Sequence, residues 1–167
     1  FWLYVAALLG AEQYGQITYF IAIGSMLSSL SLLGSSETLS VYIPKKVRIE
    51  STLNIISLLI GVVVVVTLFF IFSNVSLSTY VIGMIFVGLA STEILASRQY
   101  NSYPKYLIIS KILMVGLSIG LYHLIGTDGI ILGIGLSLFP YLVRIYHTFK
   151  KTPIDFSLLR SRWRFFT

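Results

Sequence analysis

Apolar residues run in long blocks along this chain, and polar residues gather in short segments between them. Phe1 to Gly10 is apolar but too short to cross a bilayer, which takes about 20 residues. It reads as the last turns of a helix whose start is missing, followed by a short loop at Ala11 to Gln16. Ile17 to Ile43 is a second span, ended by Pro44. Ser51 to Phe72 is a third, with the β-branched run Val62 to Val66 at its centre. Such a run is a poor helix in water, but in lipid the backbone must satisfy its own hydrogen bonds and the helix prevails. Thr79 to Ser97 is a fourth span, closed by Arg98. Pro104 to Ile125 is a fifth, with proline at the helix start, where its missing N–H costs little. Gly126 to Gly129 is a tight turn, and Ile130 to Phe149 a sixth span with a kink expected at Pro140. Short connections make successive helices antiparallel neighbours. The expected fold is all-α, a polytopic transmembrane helical bundle over residues 1–151, with a separate segment at 152–167.

Charge adds orientation to this picture. The connecting segments alternate between basic (Lys45, Lys46 and Arg48; Arg98 and Lys105; Lys150 and Lys151) and uncharged or acidic (residues 11–16, 73–79 and 126–129). By the positive-inside rule the basic set faces the cytoplasm. Composition agrees: 56% of residues are hydrophobic and only 11% charged, with a mean hydropathy of +0.90, more than a soluble domain of this size carries on its surface. The net charge of +6 would suggest nucleic acid in a soluble protein. Here orientation and anionic lipid headgroups account for it, and no nucleic-acid partner is expected. With no cysteine in the chain, a disulfide and a thiolate metal site are both excluded. The tail, where Phe156, Leu159, Trp163 and Phe166 mix with Arg160, Arg162 and Arg164, reads as a cytoplasmic interfacial helix or as the start of a further span.

Ionisable groups inside spans are costly and are the first functional candidates. These are Glu37, Glu93, Lys111 and Arg144. Glu93 and Lys111 each lie nine positions from Ser102, so an antiparallel hairpin brings them to similar depth. Two readings stay open for them: a cavity-facing site, or a structural ion pair with Lys111 snorkelling. Glu37 either pairs with Lys45 or Arg48 at the cytoplasmic end or lines a cavity. Arg144 either snorkels or lines a cavity, and His123 sits at the outer interface. Thr18, Ser25, Ser29, Ser36 and Ser40 follow spacings of seven and four and share one helix face, which serves either close packing or a wet cavity. Gly116 with Gly120, and Gly129 with Gly133, are small-residue pairs suited to packing of the fifth and sixth helices. No Ser/His/Asp or Cys/His set, metal-ligand spacing or phosphate-cradling loop is present, so enzyme chemistry and a bound metal or cofactor are not expected.

The segment Leu9-Gly10-Ala11-Glu12-Gln13-Tyr14-Gly15 leading into a Ser/Leu-rich helix resembles the start of the polysaccharide (O-antigen) repeat-unit flippases of the multidrug/oligosaccharidyl-lipid/polysaccharide exporter superfamily. Gly34 to Leu39, running on to Lys46, and the end Ile154-Asp155-Phe156-Ser157-Leu158-Leu159-Arg160 are similar to segments of the same family. The resemblance implies the N-terminal lobe of a two-lobe transporter in the cytoplasmic membrane, with its second lobe outside this sequence. It further implies alternating access for a polyprenyl-pyrophosphate-linked oligosaccharide, and a neighbouring polysaccharide polymerase or ligase machinery. Lys111, and after it Arg144, are the cations expected to meet the substrate, with Glu93, Glu37, Ser29 and Ser36 as further cavity-lining candidates. Coupling to an H+ or Na+ gradient fits the same family. A drug/cation antiporter or lipid II flippase of the superfamily, which would favour Glu37 and Glu93, is the near alternative. A membrane scaffold subunit without transport is the distant one.

Overall fold

The computed structural model describes residues 1–32, 35–43 and 50–151. The basic cluster Lys45/Lys46/Arg48 with Pro44, and the tail 152–167, lie outside the described residues. Those described form helices α1 (Trp2–Leu32), α2 (Ser35–Tyr42), α3 (Glu50–Phe72), α4 (Val75–Ala96), α5 (Tyr103–Ile125), α6 (Thr127–Ser137) and α7 (Pro140–Lys151), with no strand among them. Among the described residues, five stretches are long and apolar enough to cross a membrane: Trp2–Leu32, Ser51–Phe72, Val75–Ala96, Tyr103–Ile125 and Thr127–Lys150. The architecture is an all-α bundle with the make-up of a multi-pass membrane protein.

The helix ends differ from the sequence reading in ways that have physical causes. Residues 11–16, expected as a loop, are helical, and the turn is concentrated in Gly10 (φ 74°, ψ 172°). In a straight helix Trp2 and Tyr14 would stand about 18 Å apart, yet their rings meet edge-on at 6.4 Å. The chain therefore bends sharply at Gly10, a backbone conformation that only glycine adopts without strain. Of the second span, the described residues fall in α1, which runs to Leu32, and in α2, which begins at Ser35. The connection expected at 73–79 shrinks to Ser73 and Asn74, because the Asn74 side chain accepts a hydrogen bond from the Leu77 N–H and starts α4 early. That is an N-cap. Arg98, with φ 57°, ends α4: its N–H bonds Leu95 O, and the Gln99 N–H bonds Ile94 O, both at 3.0 Å, a Schellman closure. The turn expected at 126–129 contracts to Gly126 (φ 72°). The sixth span is interrupted at Leu138 and Phe139, where α6 stops and α7 starts on Pro140.

Two contacts support the expected pairing of helix ends. Asn74 Nδ2 donates to Asp128 Oδ1 at 3.4 Å, joining the α3–α4 and α5–α6 connections. At the other end Ser51 Oγ donates to Thr148 O at 3.4 Å, joining the start of α3 to the end of α7. The weakly charged connections thus share one end of the bundle.

α4 is the central helix, packed by α1, α2, α3, α6 and α7. Its Leu77, Val81, Leu89, Ala90 and Ile94 are fully buried. α5 packs chiefly on α6 rather than on α4. Gly129 and Gly133 account for this: a Cβ on Gly133 would stand 2.5 Å from the Ser118 backbone, and one on Gly129 would run into Leu121 O. Gly135 packs equally tightly on the Tyr80 backbone of α4. The other small-residue pair does not act this way, since Gly116 and Gly120 face open space. Gly133→Ala should therefore destabilise by about 1–3 kcal/mol through overpacking. Gly116→Ala should be neutral or stabilising by up to about 1 kcal/mol from helix propensity. SDS titration of the purified protein measures both, and equal losses would refute the close-approach account.

Candidate functional site

Glu93 does not pair with Lys111. It lies 8% exposed near the end of α4 and takes Arg144 of α7, 14% exposed, as its partner. Arg144 Nη2 stands 3.0 Å and Nε 3.1 Å from the same oxygen, Oε1. Thr148 Oγ1 donates to the other, Oε2. Arg144 and Thr148 are one turn apart on α7 and so face α4 together. The Glu93–Lys111 expectation assumed that sequential helices pack side by side. With α5 docked on α6 through the glycines, α7 occupies the place beside Glu93. Neither snorkelling nor an open cavity describes Arg144. It belongs to a charge-compensated clamp among α3, α4 and α7, completed by the Ser51 contact to Thr148. With one oxygen bonded by a guanidinium and the other by a hydroxyl, the Glu93 carboxylate is engaged within the bundle.

Lys111 is exposed on α5, and no carboxylate stands within ion-pair distance of it among the described residues. It borders a pocket of about 170 Å³ between α4, α5 and the α6–α7 break, lined also by Met84, Ser110, Met114, Ser137 and Tyr141. At the break the backbone tightens to i→i−3 bonds: Leu138 N–H to Gly135 O at 3.2 Å, Phe139 N–H to Leu136 O at 3.1 Å and Tyr141 N–H to Leu138 O at 3.2 Å. Pro140 supplies no donor. The break lies about midway along the Thr127–Lys150 span. The carbonyl end of α6 carries partial negative charge, which makes the pocket a tolerable place for an ammonium. Discontinuous helices at mid-depth are where membrane transporters commonly hold polar or charged cargo.

The remaining candidates do not converge on this pocket. Glu37 is exposed on α2, Ser36 is half-buried, and Ser29 is exposed with its hydroxyl turned to Ser25 O at 2.9 Å. The proposed partners of Glu37 at 45 and 48 lie outside the described residues. Of the expected polar face, Thr18 and Ser40 are exposed too. Only Ser25 makes an interhelical bond, to the Tyr80 hydroxyl of α4 at 2.9 Å. On α1 the buried face is the neighbouring one, Gly24, Ser28 and Ser31, because helix rotation is set by where Gly24 meets the Tyr80 ring, and on α2 Ser35 is buried as well. His123 is exposed near the end of α5, beside Tyr122. Sequence reasoning missed Thr148, whose i+4 spacing from Arg144 was the available signal, and Asn54, an amide standing inside an apolar run. It also missed Ser137 and Tyr141, which only the helix break brings beside Lys111.

No protein-family model, curated protein or solved structure matches this chain. What fold and site define is a class: an all-α bundle with the make-up of a multi-pass membrane protein, in which, among the described residues, Glu93 and Arg144 form an ion pair in the core and Lys111 stands at a broken helix.

Proposed function

We propose that this chain is one lobe of a transporter that flips polyprenyl-pyrophosphate-linked oligosaccharide across the cytoplasmic membrane for surface polysaccharide synthesis. The observation that carries the reading is Lys111, an intramembrane cation facing a pocket at a helix break with no carboxylate partner among the described residues. An unpaired ammonium at that depth needs an anionic visitor to offset its desolvation, and the pyrophosphate supplies one. The second lobe of the resembling family would complete the cavity, and the polymerase or ligase machinery would consume what is delivered outside. The role asks for no catalytic chemistry of the chain itself. Coupling to an ion gradient would fall to the second lobe or to Glu37, since Glu93 is engaged. The same engagement of Glu93 weighs against the cation-antiporter alternative, which needs free carboxylates.

Deleting the parent gene and quantifying membrane saccharides tests the proposal. The expected result is accumulation of polyprenyl-linked repeat units with surface polysaccharide lost. Unchanged lipid-linked pools would overturn it. Altered sensitivity to cationic drugs, with those pools unchanged, would favour the antiporter.

A further inference from the structure

Asn54 is fully buried on α3, and neither its Oδ1 nor its Nδ2 has a hydrogen-bond partner. Buried amides are nearly always satisfied, and an orphan inside a membrane bundle is costlier still. The neighbours on its own helix face are informative. Ser51, three residues before it, donates to Thr148 O and so connects to the Glu93–Arg144 clamp. Ser57, three residues after it, is 2.6 Å from the Ser35 hydroxyl of α2. Side chains three apart on a helix stand about 5–6 Å from each other at Cβ. The amide nevertheless bonds neither hydroxyl directly, and one water, with two hydrogen bonds of about 2.8 Å each, links polar atoms up to about 5.6 Å apart.

We propose that Asn54 holds buried water, bridging it to Ser51 on one side and Ser57 on the other. Water fits better than a cation. The amide offers a donor as well as an acceptor, and a metal ion would leave Nδ2 unsatisfied. The flanking hydroxyls are neutral, and the nearby carboxylate Glu93 is already compensated by Arg144. With the water in place a continuous polar network joins α2, α3, α7 and α4. The two groups of bonds that end at Ser57 and Ser51 become one element. The inference does not depend on the substrate proposed for Lys111.

The test uses the full-length protein in nanodiscs, labelled with 15N-asparagine. The Asn54 side-chain resonance is assigned by its loss in Asn54→Ser, a variant that keeps a hydroxyl able to hold the water. A cross peak from water to that NH2, persisting in Ser51→Ala and in Ser57→Ala, where one flanking exchanging hydroxyl at a time is gone, is the expected result. Its absence overturns the proposal. Thermal unfolding provides the second readout. Asn54→Ser should stay within about 2 °C of the parent, while Asn54→Leu should fall by several degrees, at roughly 2–4 °C per kcal/mol for a protein of this size. A higher Tm for Asn54→Leu means a dry site and overturns the proposal. So does a sodium-dependent rise in Tm that Asn54→Leu abolishes, because an ion would then occupy the place of water.

Discussion

Glu93→Ala should destabilise the bundle by about 3–5 kcal/mol, and Arg144→Ala by a similar amount, because each leaves a desolvated charge without its partner. Both side chains are less than a fifth exposed, so solvent screening removes little of the effect. The double variant Glu93→Leu/Arg144→Leu should recover most of the loss, since a buried ion pair contributes little net stability over well-packed apolar residues. Some deficit should remain because Thr148 Oγ1 loses its acceptor on Glu93, although Arg144 O stands 3.2 Å away as a substitute. Equilibrium unfolding by SDS titration in mild detergent gives all three values. Single-variant losses below about 1 kcal/mol, or a double variant no better than the singles, would show that the pair does not clamp α4 to α7.

Lys111→Ala should leave stability nearly unchanged and cut transport of lipid-linked saccharide by about 10–100-fold. That range corresponds to losing one hydrogen bond to a charged group, about 1.5–3 kcal/mol. Lys111→Arg keeps the charge and should retain most activity. Export of surface polysaccharide in a strain carrying only the variant, at matched protein levels, is the measurement. Adding Glu93→Ala to Lys111→Ala should not rescue export, since the two residues do not pair. Full activity in Lys111→Ala would remove the pocket from the mechanism. Rescue by the second substitution would instead mean that the two side chains meet in another state of the transport cycle.

The contrast between these two experiments follows from where each residue packs. Both Glu93 and Lys111 stand out in the sequence as charges within apolar runs, and depth counted from Ser102 places them at matching levels. Depth is a property of one helix and its turn, so it can be read along the chain. Partnership depends on which helices are neighbours, and that was set by Gly129 and Gly133 drawing α5 onto α6. The two glycine pairs illustrate the same point. Each has the small-xxx-small spacing, but Gly116 and Gly120 lie on the open side of α5, and no local pattern distinguishes the side a neighbour will take.

The all-α class, the position of the apolar spans from Ser51 onward and the grouping of their ends were legible along the chain, whereas the helical course of residues 11–16 was not. A helix satisfies its own backbone hydrogen bonds in lipid, and much of the polar punctuation is local: Gly126 turns and Pro140 interrupts. Packing between distant segments is what makes Arg144 and Thr148 the partners of Glu93, buries the serines at 28, 31 and 35 in place of Thr18, Ser29 and Ser40, and brings Lys111 to the α6–α7 break. Each of these depends on the rotation of a helix about its axis and on its choice of neighbour. Those are fixed by contacts between residues far apart in the chain, such as Gly24 against Tyr80 and Gly133 against Ser118.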